Sequence, residues 1–266
     1  MDHIPRLSEV VYVGLCRKIG APTEVAMRRD IMDMEEMINK HLYMHIGGWM
    51  NSGSYREGFR FASSDVDIMF WSWNHKLITD ISQLRVYDPS AYEIILMEDS
   101  DTPPGFVTLR LLTPQNSRLI LSLVPFKDGV FISSSLWRED YFQTLINNEY
   151  FQQTNITIHG PCSSGFVGDL EFDHAVCFAS IFWPKISGGW VDRCQRHTWP
   201  PIPVLEKILR NGCHCVPIGS KIESTSYELE CRLSFSQAEK QLVCTMNHTQ
   251  FLCYGLLKIF LKEVSY

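Results

Sequence analysis

Between residues 24 and 42 the apolar side chains Met27, Ile31, Met34, Ile38 and Leu42 recur at steps of three and four, the spacing of one helix face. Thr23, just after Pro22, is the expected N-cap. The run stops at Gly47-Gly48, which reads as a glycine turn. A short turn follows Gly53, and Val66 to Trp71 reads as a strand. Further strands are expected over 106–112, 118–124, 130–133, 170–178, 213–218 and 227–233, with Lys127-Asp128-Gly129 as a hairpin turn. A short helical run covers 204–209 and ends before Gly212. The pattern turns helical again over 236–264, with Leu242, Met246, Leu256, Leu257, Phe260 and Leu261 as its apolar positions. Neither an internal repeat nor a low-complexity segment interrupts this order. The expectation is an α+β chain: a mixed-sheet domain over 1–232, followed by the beginning of a helical lobe over 233–266.

Composition narrows the classes. At 266 residues the chain suits one large domain or one domain with an added lobe. Its 45% hydrophobic and 20% charged content excludes disordered, collagen-like and coiled-coil classes. A formal net charge of −6 is not that of a polycation, so any nucleic-acid contact must be a local patch; Arg28, Arg29 and Lys40 could form one on the long helix. Nine scattered cysteines, an odd number, read as reduced thiols in a cytosolic setting. The opening MDHIPRLSEV lacks a signal-peptide pattern, and LLKIFL is too short for a membrane span and contains Lys258. The N-x-T patterns at Asn155 and Asn247 carry no chemistry without secretion.

Asp65 and Asp67 stand two apart in SDVDIMF, so on a strand both carboxylates face one way. Two acids side by side repel, and a hard divalent cation relieves that repulsion. Upstream, Gly53-Ser54 joins a glycine that permits close backbone approach to a phosphate with a hydroxyl that can donate to it. Ser54 with Glu57, and Ser236 with Glu239, also fit the S-x-x-E capping box, so each admits a purely structural reading. Cys213-His214-Cys215 invites zinc, but neighbouring strand residues face opposite ways and no second ligand pair stands at finger spacing; core thiols are the better reading. Cys244 and His248 stand four apart on an expected helix and are too few for a site.

The segment GSYREGFRFASSDVDIM resembles the signature of the male-abnormal-twenty-one-like proteins, the family that includes cyclic GMP-AMP synthase and the cGAS-like receptors. The resemblance continues, in order, through WPPIPVLEKILRNGCHCVPIGSK, RLSFSQAEKQL and MNHTQFLCYGLLKIFLKE, and is weakest between about residues 73 and 160. It implies a nucleotidyltransferase fold, a mixed twisted sheet flanked by helices and followed by a helical lobe of which this chain holds the beginning. It also implies a third carboxylate on a strand beside the D-x-D strand, just before a Trp-Pro. Asp173, ahead of Trp183-Pro184, matches; Asp169 and Glu171 are the alternatives in register, and Asp128 is weaker because a hairpin turn explains it.

On that resemblance Asp65, Asp67 and Asp173 would hold Mg²⁺ or Mn²⁺ in a two-metal site. Gly53, Ser54, Arg232, Ser234, Ser236, Glu239 and Lys258 would line the nucleotide pocket. ATP and GTP would be joined into a cyclic or linear dinucleotide, with a double-stranded nucleic acid as a weakly supported activator and a cytoplasmic or nuclear location. The family's zinc insertion has no counterpart in the short stretch KQLVCTMNHTQ, so no zinc is expected. The alternative is a catalytically inactive member that acts by binding a partner or a nucleotide in signalling or development.

Overall fold

A computed structural model describes residues 3–61, 64–113, 118–149, 154–197, 199–222 and 226–264. In chain order the elements are α1 (His3–Ile19), α2 (Pro22–Tyr43), β1 (Gly47–Ser52), α3 (Gly53–Glu57), β2 (Val66–Ser72), β3 (His75–Ile78), β4 (Glu93–Glu98), β5 (Phe106–Leu111), β6 (Leu123–Phe126), β7 (Gly129–Ile132) and α4 (Ser134–Ile146). They continue with β8 (Thr157–His159), β9 (Cys162–Val167), β10 (Leu170–Val176), β11 (Phe178–Ser180), α5 (Gly188–His197), α6 (Ile202–Asn211), β12 (Cys213–Val216), β13 (Glu230–Ser234), α7 (Ser236–Thr245) and α8 (His248–Val264). The chain is α+β, with helices packed around mixed sheets. No helix among the described residues is long and apolar enough to cross a membrane.

One sheet has the order β1-β2-β10-β9-β8, in which β2 and β10 are parallel and the other neighbours antiparallel. The other runs β11-β12-β13-β5-β4-β3, with the β6–β7 hairpin joined to β5. The chain passes from the first sheet to the second at Cys177, whose N–H donates to Phe70 O at 2.8 Å. A core of Leu77, Ile95, Leu109, Ile132, Phe178 and Cys215 lies within the second sheet and under Trp137 of α4. Phe59 centres another core, stacked on Phe251 of α8 at 4.3 Å and enclosed by Ile19, Val25 and Val243, so α7 and α8 pack on the N-terminal helices.

Several expectations change on contact with tertiary structure. Helix α2 begins at Pro22 with Ala21 as its N-cap, and Glu24 accepts from the Ala21 N–H at 2.9 Å, so Thr23 lies inside the first turn. Its apolar row faces outward: Met27, Ile31, Met34, Ile38 and Leu42 are all exposed. The inward face is Val25, Arg28, Arg29, Met32 and Glu36. Arg28 donates to Ile19 O at 2.7 Å, and Arg29 donates to Glu57 O at 2.8 Å while lying over the Phe251 ring. Two members of the expected basic strip therefore serve backbone carbonyls within the molecule. Residues 118–122 form a 3-10 turn ahead of β6, and residues 227–229 another ahead of β13.

The Gly47-Gly48 turn is instead the start of strand β1, paired with Ser72 and Trp71. A side chain at Gly48 would stand 2.2 Å from the Trp71 ring, so the glycine makes room for an indole. Gly48→Ala should therefore lower unfolding free energy by about 1–3 kcal/mol in urea titrations. Gly188→Ala, where a Cβ meets nothing within 4 Å, should change it far less.

Candidate metal centre

Parallel pairing of β10 with β2 sets Asp173 opposite Asp67. Asp65 enters from the residue before β2, and carboxylate oxygens of Asp65, Asp67 and Asp173 all lie within 4.8 Å of one another. Alternation places Asp67 and Asp173 with Met69, Trp71 and Ala175 on one face of the sheet, while Ile68 and His174 turn to the other. Ser164 of β9, opposite Asp173 in register, donates its hydroxyl to Asp173 Oδ1. Glu171 lies on the exposed outer end of β10 and Asp169 in the β9–β10 turn, and neither joins the cluster. Asp128 sits in the β6–β7 hairpin, 3.4 Å from Arg110.

Gly53 has φ +67, and a Cβ there would fall 1.8 Å from Asp67 Oδ2, so its backbone packs directly on the carboxylate. Ser54 follows in the short α3, held from the other side by Lys258 of α8. The Lys258 ammonium donates to Ser54 Oγ at 2.9 Å and to Glu57 Oε2 at 2.6 Å. The Ser54–Glu57 capping box is therefore not formed: Ser52 is the N-cap, and Glu57 is committed to the lysine. Burial pushes the Glu57 carboxyl up, and Lys258 opposes that shift.

Helix α3 is anchored by Arg56, whose guanidinium is 1% exposed. It donates to Glu36 of α2 at 2.7 Å and also pairs with Asp33; Lys240 of α7 closes on the same Glu36. Sequence reading singled out neither Arg56 nor Ser164, and gave Glu57 only a place in a capping box. The carboxylates recurring with Arg and Lys on α2, α3 and α7 were a signal of sorts, but nothing in CSSGFV marks Ser164.

The remaining expected nucleotide contacts, Arg232, Ser234, Ser236 and Glu239, lie on β13 and α7. Ser234 and Ser236 hydrogen-bond each other at 2.9 Å, and the N-cap of α7 is Phe235, so Ser236 and Glu239 form no capping box. Glu239 lines a cavity of about 420 Å³ walled by Trp183, Trp190 and Phe235. Burial above all raises both Glu57 and Tyr254, and the charge of Glu239 adds to each. Arg232 is exposed on β13, and its positive charge opposes the three acids at the Cys162 thiol, which burial above all pushes up to about 12. Cys213 and Cys215 are buried in the second sheet with their thiols pushed up by burial, and all nine cysteines are free.

Burial, then the charges of Asp65 and Asp173, push the Asp67 carboxyl up to about 7, while Lys258 pulls the other way. Three acids of one sign share a small volume, with the Lys258 ammonium acting against them. Their all-oxygen donor set, from carboxylates, is of the kind that hard divalent ions take. Sequence comparison with known protein families finds no family that matches.

Because the folded state holds the Asp67 proton above its unfolded pKa of 3.8, stability falls as pH rises from about 4 to about 7. In chelator-treated protein, Asp67→Asn should therefore stabilise the fold by about 2 kcal/mol at pH 8 and by much less at pH 4. Urea unfolding at the two pH values measures this directly.

Proposed function

We propose that the chain is a metal-dependent nucleotidyltransferase of the male-abnormal-twenty-one-like type, joining ATP and GTP into a cyclic or linear dinucleotide signal. The observation that carries this reading is the meeting of Asp65, Asp67 and Asp173 beside Gly53-Ser54. Asp65 and Asp67 would hold the ion that meets the triphosphate, and Asp173 would serve the ion beside the attacking hydroxyl. Such ions, when bound, lower the pKa of that hydroxyl and neutralise the triphosphate and departing pyrophosphate.

The chain's own groups orient the reactants. Gly53 lets the backbone ahead of Ser54 lie directly against Asp67, and the Ser54 hydroxyl, fixed by Lys258, offers a donor to a phosphate held by the acids. Ser164 holds one Asp173 oxygen and so fixes which lone pairs face the site. The aromatic cavity beside Glu239 is shaped for a nucleobase, with Trp183 and Trp190 as stacking surfaces and the carboxylate as an acceptor for base N–H groups. Free thiols throughout suit a reducing, cytosolic setting. Double-stranded nucleic acid as an activator rests on the family resemblance, since Arg28 and Arg29 are engaged internally.

A second reading, a partner-binding member without turnover, draws on the exposed apolar row of α2. Purified protein with ATP, GTP and Mg²⁺ or Mn²⁺, with and without double-stranded RNA or DNA, should yield a dinucleotide by chromatography and mass spectrometry. The yield should fall about 100-fold or more in the Asp65→Asn, Asp67→Asn double variant. Absence of product under every condition, or equal product from the double variant, overturns the catalytic reading.

A further inference from the structure

At the far end of β2, on the sheet face that carries the acids, a cavity of about 520 Å³ opens between α2, β1 and α7. Trp71 stands four residues beyond Asp67 on that face, about 13 Å along the strand, and none of the three acids lines the cavity. Met37, Trp71 and Trp73 supply its apolar wall, and Lys40, Asn211 and Gln241 its polar groups. Both the volume and this mixture of rings with a few polar groups are those of a small-molecule site.

The apolar wall is set before any ligand arrives. The Trp71 ring packs on the Gly48 backbone, where a Cβ would stand 2.2 Å from it, and on the His214 ring, with centroids 4.5 Å apart. Trp73 meets Trp71 edge to face at 6.0 Å, and its Nε1 donates to Met44 O at 3.1 Å. Trp73 is nevertheless 37% exposed and Met37 66%, so both offer surface to a flat ring. Walls already fixed lower the ordering cost of binding.

Charge sets the sign of the ligand. Asp33 and Glu36 also line the cavity, but both are paired: Arg56 closes on the two of them, and Lys240 closes on Glu36 with Asp33 4.0 Å away. Two carboxylates thus meet two cations. Lys40, exposed on α2, makes neither an ion pair nor a side-chain hydrogen bond with any described residue, and it is the surplus charge. The side-chain amides of the exposed Asn211 and the half-buried Gln241 are likewise without partners among the described residues, and they remain as donors. One unpaired cation beside two amide donors suits a singly charged carboxylate and disfavours a second positive charge.

We infer that this cavity is a second ligand site, selective for a flat aromatic molecule that carries one carboxylate. The inference does not depend on the catalytic reading.

The test is NMR titration of the full chain with 2-naphthoate and, separately, with 2-naphthylmethylamine, the same ring bearing a positive charge. Naphthoate should shift the Trp73 indole N–H and the Met37 and Gln241 amides saturably, with a dissociation constant on the order of 1 mM or tighter. The amine should bind about tenfold more weakly or worse. Lys40→Gln, at an exposed position, should keep the circular dichroism of the native chain and weaken naphthoate about fivefold or more without weakening the amine. No saturable shift at the cavity, equal binding of the two probes, or naphthoate affinity unchanged in the folded Lys40→Gln variant overturns the inference.

Discussion

Where β10 lies parallel to β2, Asp173 stands opposite Asp67, and a slip of one residue in that pairing would send Asp173 to the far face and bring His174 in its place. Asp65, Gly53 and Ser164 gain meaning only through this register. The apolar partners of the same alternation fix it: Met69 and Ala175 belong to one core, Val66 and Phe172 to another. Burial on both faces thus places the acids, although the acids themselves repel. Burial first, and then the charges of Asp65 and Asp173, raise the Asp67 carboxyl, an electrostatic strain that the surrounding fold tolerates.

The strain is confined by a second layer of charge pairs. Arg56 and Lys240 both close on Glu36, and Lys258 closes on Glu57, so α2, α3, α7 and α8 are cross-linked around the short segment that carries Gly53 and Ser54. Breaking a buried pair by removing one partner costs several kcal/mol, because the remaining charge has nowhere to go. These ion pairs make α3, only five residues long, a fixed platform rather than a fraying turn. Helix α2 contributes through its polar side chains, which explains why its apolar row is left to face outward.

Much of this was legible in the sequence. The D-x-D strand, the hairpin at Lys127-Asp128 and the helical close of the chain follow from period and turn chemistry, which are local. The family resemblance directed attention to Asp173, and the register places it against the first pair. What escaped was set by distant partners. Gly47-Gly48 looked like a turn because the Trp71 ring that demands glycine lies 23 residues further on. The outward row of α2 misled because Arg28, Arg29 and Glu36 serve as its inner face, through contacts no periodicity displays. Helices α1, α4 and α5 and strands β3, β4, β8 and β9 went unread.

The account's central claim is that three carboxylates from two separated strands form one divalent-ion site. Electron paramagnetic resonance of Mn²⁺, titrated into chelator-treated protein, counts bound ions without requiring turnover. The account predicts saturable binding that is lost in Asp173→Asn, with the variant's fold verified by circular dichroism, and that is retained in Glu171→Gln. Equal Mn²⁺ binding by the native chain and Asp173→Asn, or none by the native chain, would contradict it.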